Sequence, residues 1–228
     1  MGENWIHRSS SGMIAGWHFD DVGVTTLWDF TGNGHNGTGV NLDAADHITG
    51  RFGKAINFDF GASEGITVSD HADLRLSSFT VTAWVNVDVI KNNPSILSKW
   101  NADDCNYKLG LTNINNELSI YWKSEDNTQN RYDTTGDAVP TGEWVFVAGG
   151  ADSENIRFCI NGEMKTADWG QGNRSNGFYA GGTPDIGIAK AFAGDQLDGK
   201  LDDVCLFNVL LSSEQMKAIY YMQVRGYK

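Results

Sequence analysis

Leu197-Asp-Gly-Lys-Leu-Asp-Asp-Val-Cys-Leu-Phe-Asn-Val-Leu-Leu-Ser-Ser-Glu-Gln-Met-Lys-Ala-Ile-Tyr-Tyr221 lies at the C-terminal end of the chain, and its reading decides the fold. Leu201, Asp203, Cys205 and Phe207 alternate with Asp202, Val204 and Leu206, so both faces are largely apolar and a buried strand is expected. Ser212 followed three residues later by Gln215 is a helix-start pattern. Met216, Ile219 and Tyr220 then recur at helical spacing, which predicts one short amphipathic helix. Adjacent carboxylates in a buried strand are costly unless paired or bound to a cation. Asp202 and Asp203 therefore require a partner elsewhere in the chain.

Working back from this segment, short strands recur. Met13 to Phe19 reads as a first strand ending in Asp20-Asp21. Arg51 to Phe60 sets Ala55, Asn57 and Asp59 against Ile56, Phe58 and Phe60. Phe79 to Val87 is the clearest strand, with Phe79, Val81, Ala83, Val85 and Val87 on one face. Its other face carries Trp84, packed under a loop or lining a groove. Tyr107 to Thr112 and Leu118 to Lys123 flank a turn at Asn113 to Glu117. Ile156 to Ile160 and Glu163 to Ala167 flank Asn161-Gly162, a second hairpin by its turn chemistry. Glu143 to Gly149 and Asp185 to Ala189 complete the set. No repeat of about 20 to 50 residues is visible, which argues against a propeller or solenoid.

With 228 residues and 40% hydrophobic content the chain can bury a full core, and one domain over 1–228 is expected, with 1–12 as an N-terminal extension. Its 27 glycines, 8 tryptophans and only 3 prolines fit many short strands joined by tight turns. A formal net charge of -12 argues against a nucleic-acid partner, because phosphate contact needs a basic patch. Such acidity suits divalent cations, neutral glycans or simple solubility. Cys105, Cys159 and Cys205 show no metal spacing and no disulfide framework. Cys159 and Cys205 read as buried thiols, and Cys105 as part of a polar loop whose exposure is to be tested. Met1 to Arg8 has no basic-then-apolar signal region, and no stretch is long enough to span a membrane. A soluble chain without its own secretion signal is expected, or a fragment of a longer one.

Two motif matches fail on context. Gly32, Gly34 and Gly37 fit G-x-G-x-x-G, yet no helix follows to hold a dinucleotide. The same loop could wrap a cation with Asp29 and exposed carbonyls as oxygen ligands. Gly61-Ala-Ser-Glu-Gly65 fits a nucleophile elbow, but the β-like Ile66-Thr-Val68 follows instead of a helix, so Ser63 reads as a turn residue.

The order of these pieces resembles the laminin-G-like jelly-roll domains of the concanavalin A-like lectin/glucanase superfamily. The matching stretches are Gly16-Trp-His-Phe-Asp20, Asp29-Phe-Thr-Gly-Asn-Gly34, Gly53-Lys-Ala-Ile-Asn-Phe58, Phe79-Thr-Val-Thr-Ala-Trp-Val85, Gly142-Glu-Trp-Val-Phe-Val-Ala148, Phe158-Cys-Ile-Asn-Gly162 and Leu197-Asp-Gly-Lys-Leu-Asp-Asp-Val204. The resemblance implies an all-β, two-sheet antiparallel β-sandwich in which first and last strands are neighbours. Asp20 and Asp202 would then approach one another. Together with Asp29, Asn33 or backbone oxygens of the Gly loop they are hard-oxygen ligands of the kind Ca²⁺ prefers, and members of the family often carry calcium there. The alternative is that these carboxylates cap turns.

Some sandwich enzymes of this superfamily hydrolyse glucans through carboxylates spaced on one strand, and a retaining pair sits about 5 Å apart. No E-x-D-x-E pattern occurs here, so no catalysis is expected. The pairs Asp103-Asp104 and Glu125-Asp126 lie in polar loop patterns. Sugar recognition uses exposed aromatic faces among planar polar groups. The candidate ligand-binding residues are Trp100, Asn101, Asp103, Tyr107, Trp122, Arg131, Tyr132 and Trp169, each aromatic being either exposed or tucked into the sandwich. The expected partner is a glycan or cell-surface polysaccharide. The second possibility, by fold-level analogy, is a larger assembly that the domain decorates, such as a phage particle or fibre. An extracellular or virion-surface place fits both, and a free strand edge would allow a homo-oligomer.

Overall fold

The expected strands form, and their ladders are antiparallel. The computed structural model describes residues 12–21, 23–101, 104–171, 177–191 and 194–226, with the backbone alone at 169–171. In chain order the strands are β1 (Met13–Trp17), β2 (Thr26–Leu27), β3 (Gly37–Val40), β4 (His47–Thr49), β5 (Lys54–Phe58), β6 (Gly65–Val68), β7 (Phe79–Val89), β8 (Ser95–Trp100) and β9 (Cys105–Leu111). They continue as β10 (Glu117–Lys123), β11 (Gln129–Ala138), β12 (Val145–Ala151), β13 (Ile156–Ile160), β14 (Glu163–Lys165), β15 (Ala167–Gln171), β16 (Ile186–Ile188) and β17 (Asp198–Phe207), followed by helix α1 (Ser213–Gly226). One sheet runs β14-β13-β12-β7-β17-β5-β4, with β1 also paired to β17; the other runs β15-β11-β10-β9-β8-β16-β6-β3-β2.

Period-2 alternation decides what lies between the sheets. Val81, Ala83, Val85 and Val87 of β7 meet Leu109 and Leu111 of β9 and Leu118, Ile120 and Trp122 of β10 in one buried cluster. The other face of the first sheet carries Trp84, Phe146, Cys159, Cys205 and Phe207, and these are covered by Met216 and Ile219 of α1. Trp84 is thus neither under a loop nor in a groove; it lies beneath the helix and donates its Nε1–H to Gln223 Oε1 at 2.9 Å. One sheet is therefore capped by helix, and only the nine-stranded sheet offers an outer face uncovered by α1. No described helix is long and apolar enough to cross a membrane.

Local chemistry sets the turns and the helix start. Asn161 and Gly162 take φ of 48° and 78°, the pair of positive angles a two-residue hairpin needs. Ser63 likewise sits at φ 57° in the β5–β6 turn and is followed by a strand, so the elbow-like motif is a turn. At α1, Ser212 Oγ accepts the Gln215 N–H at 3.2 Å and Gln215 Oε1 accepts the Ser212 N–H at 2.8 Å, a reciprocal cap. Ser212→Ala is expected to cost about 1 kcal/mol, lowering the melting temperature by roughly 2 to 4 °C. A thermal melt that does not move would show that the cap contributes nothing.

Two expectations are corrected. Cys105 belongs to β9 and is only 4% exposed, and burial pushes its thiol up to about 11, so it is shielded like the other two cysteines. The alternation read in β17 also breaks. Its register with β7 shifts between Asp202 and Cys205, and Asp203 takes a φ of 47°. This bulge puts Leu201, Val204 and Leu206 in the inter-sheet core and Cys205 and Phe207 under the helix. A continuous period of two would have placed Leu201 on the same face as Cys205.

Candidate functional site

The bulge lies where β17 changes neighbours. Gly199 to Leu201 pair with Phe58 to Ile56 of β5, and Val204 to Phe207 pair with Trp17 to Met13 of β1. Between these ladders, Asp202 and Asp203 meet the chain as it enters β5 and as it leaves β1. Asp202 Oδ2 accepts the Phe52 N–H at 2.9 Å, and Asp20 Oδ1 accepts the Lys54 N–H at 2.7 Å. Asp203 hydrogen-bonds His18 Nδ1 and accepts Gln223 Nε2–H at 3.1 Å, linking the bulge to α1. The turn that both Asp20 and Asp202 grip needs glycine. Gly53 holds φ at 57°, and a Cβ on Gly50 would come 2.6 Å from Asp202 Oδ2.

Asp202 is fully buried, and its Oδ1 has no hydrogen-bond partner. Burial, and then the neighbouring charge of Asp203, push its carboxyl up to about 9; the Phe52 N–H works against this and Asp20 adds to it. At neutral pH the group keeps its proton unless a cation takes the proton's place. An orphaned buried carboxylate oxygen beside a second carboxylate is a donor set that fits a hard divalent ion.

Of the four sequence-predicted metal ligands, only Asp20 and Asp202 meet on this turn. Asp29 accepts N–H bonds from Gly16, Thr31 and His35 and the hydroxyl of Thr31, so it ties its own loop to β1 as a turn cap does. Asn33 is exposed and donates Nδ2–H to the Ile14 carbonyl at 2.9 Å.

A second site lies on the outer face of the nine-stranded sheet. Thr67, Gly187, Ser98, Lys108, Tyr121 and Arg131 stand in register across β6, β16, β8, β9, β10 and β11. At one end is a cavity of about 290 Å³ lined by Thr67, Ser98, Trp100, Asn101, Asp185 and Lys190, among others. Trp100 sets its ring edge-on to Tyr121 at 6.2 Å. Tyr121 in turn lies between two cations, Lys108 at 5.1 Å and Arg131 at 5.3 Å from its ring centre. Lys108 is held by Asp195 at 2.7 Å and Arg131 by Asp133 at 2.8 Å. Burial lowers the Lys108 ammonium below the ordinary lysine range, and Asp195 offsets part of that. Ser98, Gly187 and Lys108 are buried, so the row presents the partly exposed Thr67, Tyr121 and Arg131, with the carboxylates of Asp133 and Asp195 nearby, to one ligand face.

Trp100, Asn101 and Arg131 reach this outer surface, the first two as cavity lining and the third in the row. Tyr107, Trp122 and Tyr132 do not; they are 0%, 3% and 6% exposed and point between the sheets. Tyr107 donates its hydroxyl to the Leu74 carbonyl at 2.9 Å, and Trp122 stacks on Tyr132 and Phe178. The reason is parity: Leu118 and Ile120 are inward, so Trp122 is inward and its neighbour Tyr121 faces out. Asp103 lies outside the described residues. The backbone of Trp169 pairs with Tyr132 in the sheet, and its side chain lies outside what is described. Lys108, Tyr121 and Lys190 were missed. For the first two the signal was present, since each directly adjoins an inward aromatic, Tyr107 or Trp122.

The sequence pattern of the Concanavalin A-like lectin/glucanases superfamily, in its laminin G form, matches residues 60–217. No curated protein matches the chain. Among solved structures the fold is similar to domain 4 of AbnA, an extracellular arabinanase from Geobacillus stearothermophilus, in complex with arabinotriose. That likeness has a TM-score of 0.70 at 19% identity and covers 92% of this chain and 98% of that one. It is similar to the binding domain of Paraclostridial Mosquitocidal Protein 1, with a TM-score of 0.72 at 14% identity, over 94% of this chain and 53% of that one. It is also similar to Trypanosoma rangeli sialidase, with a TM-score of 0.63 at 10% identity, over 95% of this chain and 33% of that one. At these identities the structural likeness speaks for the fold, while the sequence pattern covers more than half of the chain. The chain therefore belongs to the Concanavalin A-like lectin/glucanases superfamily.

Proposed function

We propose that this is a non-catalytic carbohydrate-recognition domain that takes a glycan, such as a cell-surface polysaccharide, on the outer face of its nine-stranded sheet. The observation that carries the reading is the in-register row from Thr67 to Arg131, with Trp100 and Tyr121 as aromatic faces beside the cavity. Sugars are held by aromatic surface against C–H groups and by planar donors and acceptors, and both are present. The arabinotriose bound to AbnA domain 4 supports a glycan as the ligand class. Asp133 and Asp195 on this face are each ion-paired.

A structural Ca²⁺ belongs to the same reading, held by Asp20 and Asp202 where the two ends of the sheet ladder meet. Its support is the orphaned Asp202 oxygen and the hard-oxygen donor set. Bound there, the ion would supply the positive charge that lets Asp202 ionise, and so would fix the β1–β17–β5 junction.

The test is a glycan array, with arabinan oligosaccharides included, followed by titration of the best ligand. Trp100→Ala is expected to remove about 2 kcal/mol or more, as truncation of a central tryptophan does, which is roughly thirtyfold in Kd. Because Trp100 is partly exposed at a strand end, the melting temperature should stay near that of the parent protein. An array without a glycan ligand, or unchanged affinity in Trp100→Ala, would sink the proposal.

A further inference from the structure

We propose that His35, His71 and Asp73 form a second metal site, distinct from the acidic turn, which takes a borderline transition-metal ion of the zinc class. Three ligand atoms, one from each residue, lie within 4.8 Å of one another. His35 Nε2 is 3.2 Å from Asp73 Oδ2, and His71 Nδ1 is 2.5 Å from Asp73 Oδ1. Zinc–nitrogen and zinc–oxygen bonds of about 2.0 to 2.2 Å in a tetrahedron place neighbouring ligand atoms roughly 3.3 Å apart, close to the His35–Asp73 separation. The exposed His71 ring has the freedom to close the remaining distance.

Two rigid anchors bring these residues together. His35 is 5% exposed, and its backbone is clasped on both sides: its N–H goes to Asp29 Oδ2 at 3.1 Å and its carbonyl accepts Trp17 Nε1–H at 3.0 Å. Asp73 sits in the 3-10 turn Ala72–Leu74, which is closed by the Leu74 N–H to the His71 carbonyl at 3.0 Å. The Leu74 carbonyl in turn accepts the buried Tyr107 hydroxyl. Asp29, first read as a metal ligand, and Tyr107, first read as a glycan-binding residue, thus act here by holding the backbone of this cluster.

The donor chemistry separates the two sites. Asp20 and Asp202 offer oxygen alone, which suits calcium, whereas two imidazoles and one carboxylate suit zinc and leave a fourth position for water or another ligand. Without metal, the same atoms form two His–Asp pairs of modest worth at an exposed edge.

Zinc added to the calcium-saturated full chain is expected to bind at one equivalent. It should shift the ring nitrogens of His35 and His71 together in NMR spectra, leaving those of His18 and His47 in place. His71→Ala and Asp73→Asn should each weaken binding by at least about tenfold, since loss of even an outer supporting partner costs about that much. His71 is 65% exposed, so its removal leaves the fold intact and the comparison clean. Absence of saturable one-equivalent binding, a shift at His71 without one at His35, or unchanged affinity in His71→Ala would each overturn the site and leave only the His–Asp pairs.

Discussion

Calcium at a hundredfold excess over its Kd is expected to raise the melting temperature of the EDTA-treated protein at pH 8 by roughly 5 to 11 °C, and the rise should vanish in Asp202→Asn. Such an excess adds about 2.7 kcal/mol, and each kcal/mol moves a domain of this size by roughly 2 to 4 °C. The metal-free protein should also show an unusual pH dependence. The Asp202 carboxyl rises from an ordinary 3.8 to about 9 on folding, so between those values the folded state holds a proton that the unfolded chain has released. Stability from this group is then full at low pH and is lost as pH rises towards 9, the reverse of a salt-bridged carboxylate. Calcium replaces that proton and should flatten the loss, so its benefit grows with pH. Asp202→Asn stays neutral throughout and can still accept the Phe52 N–H, so in EDTA its stability should not fall over the same range. Equal midpoints with and without calcium at pH 8 would remove the ion. Stability in EDTA that does not fall from about pH 5 to 8, so that the parent and Asp202→Asn run parallel, would mean that Asp202 is already ionised.

Trp122→Ala is expected to destabilise the protein by about 3 to 5 kcal/mol, the range for emptying a large aromatic from a packed core. By the same conversion the midpoint should fall by roughly 6 to 20 °C. Trp122 lies between Tyr132 and Phe178, with ring centres 5.7 and 5.3 Å away. The residue after Phe178, Tyr179, donates its N–H to the Lys123 carbonyl at 2.8 Å, so the stack also docks the segment that follows β15 against β10. Removing the indole should therefore loosen that segment and weaken ligand binding indirectly. The contrast with Trp100→Ala is the useful measurement: thermal melts of both variants should separate a core tryptophan from a ligand-facing one. If Trp122→Ala melts with the parent protein, the indole is not core, and its first reading as a binding surface returns.

Much of the architecture was written in short windows of sequence. The alternation from Phe79 to Val87 gave β7, Asn161-Gly162 gave its hairpin, and Ser212 with Gln215 gave the start of α1. Each of these depends on hydrogen bonds or side-chain periodicity within a few residues. The proximity of Asp20 and Asp202 followed from a family likeness in strand order. What needed the tertiary structure was every choice that depends on a partner far along the chain. The bulge at Asp203 arises where β17 passes from β5 to β1, and it moves Leu201 to the face opposite the one its spacing implied. Asp29, in a loop suited to wrapping a cation, instead closes that loop on β1. Tyr107 and Trp122 look like binding aromatics by composition, but strand parity turns them inward and sets Lys108 and Tyr121 on the opposite face, where Lys108 is itself buried. His35 and Asp73 are 38 residues apart and meet only because their loops are fixed to the same core. Periodicity is local and can be read from the chain, whereas register and partner choice are properties of the assembled sheet, where a shift of one residue exchanges inside for outside.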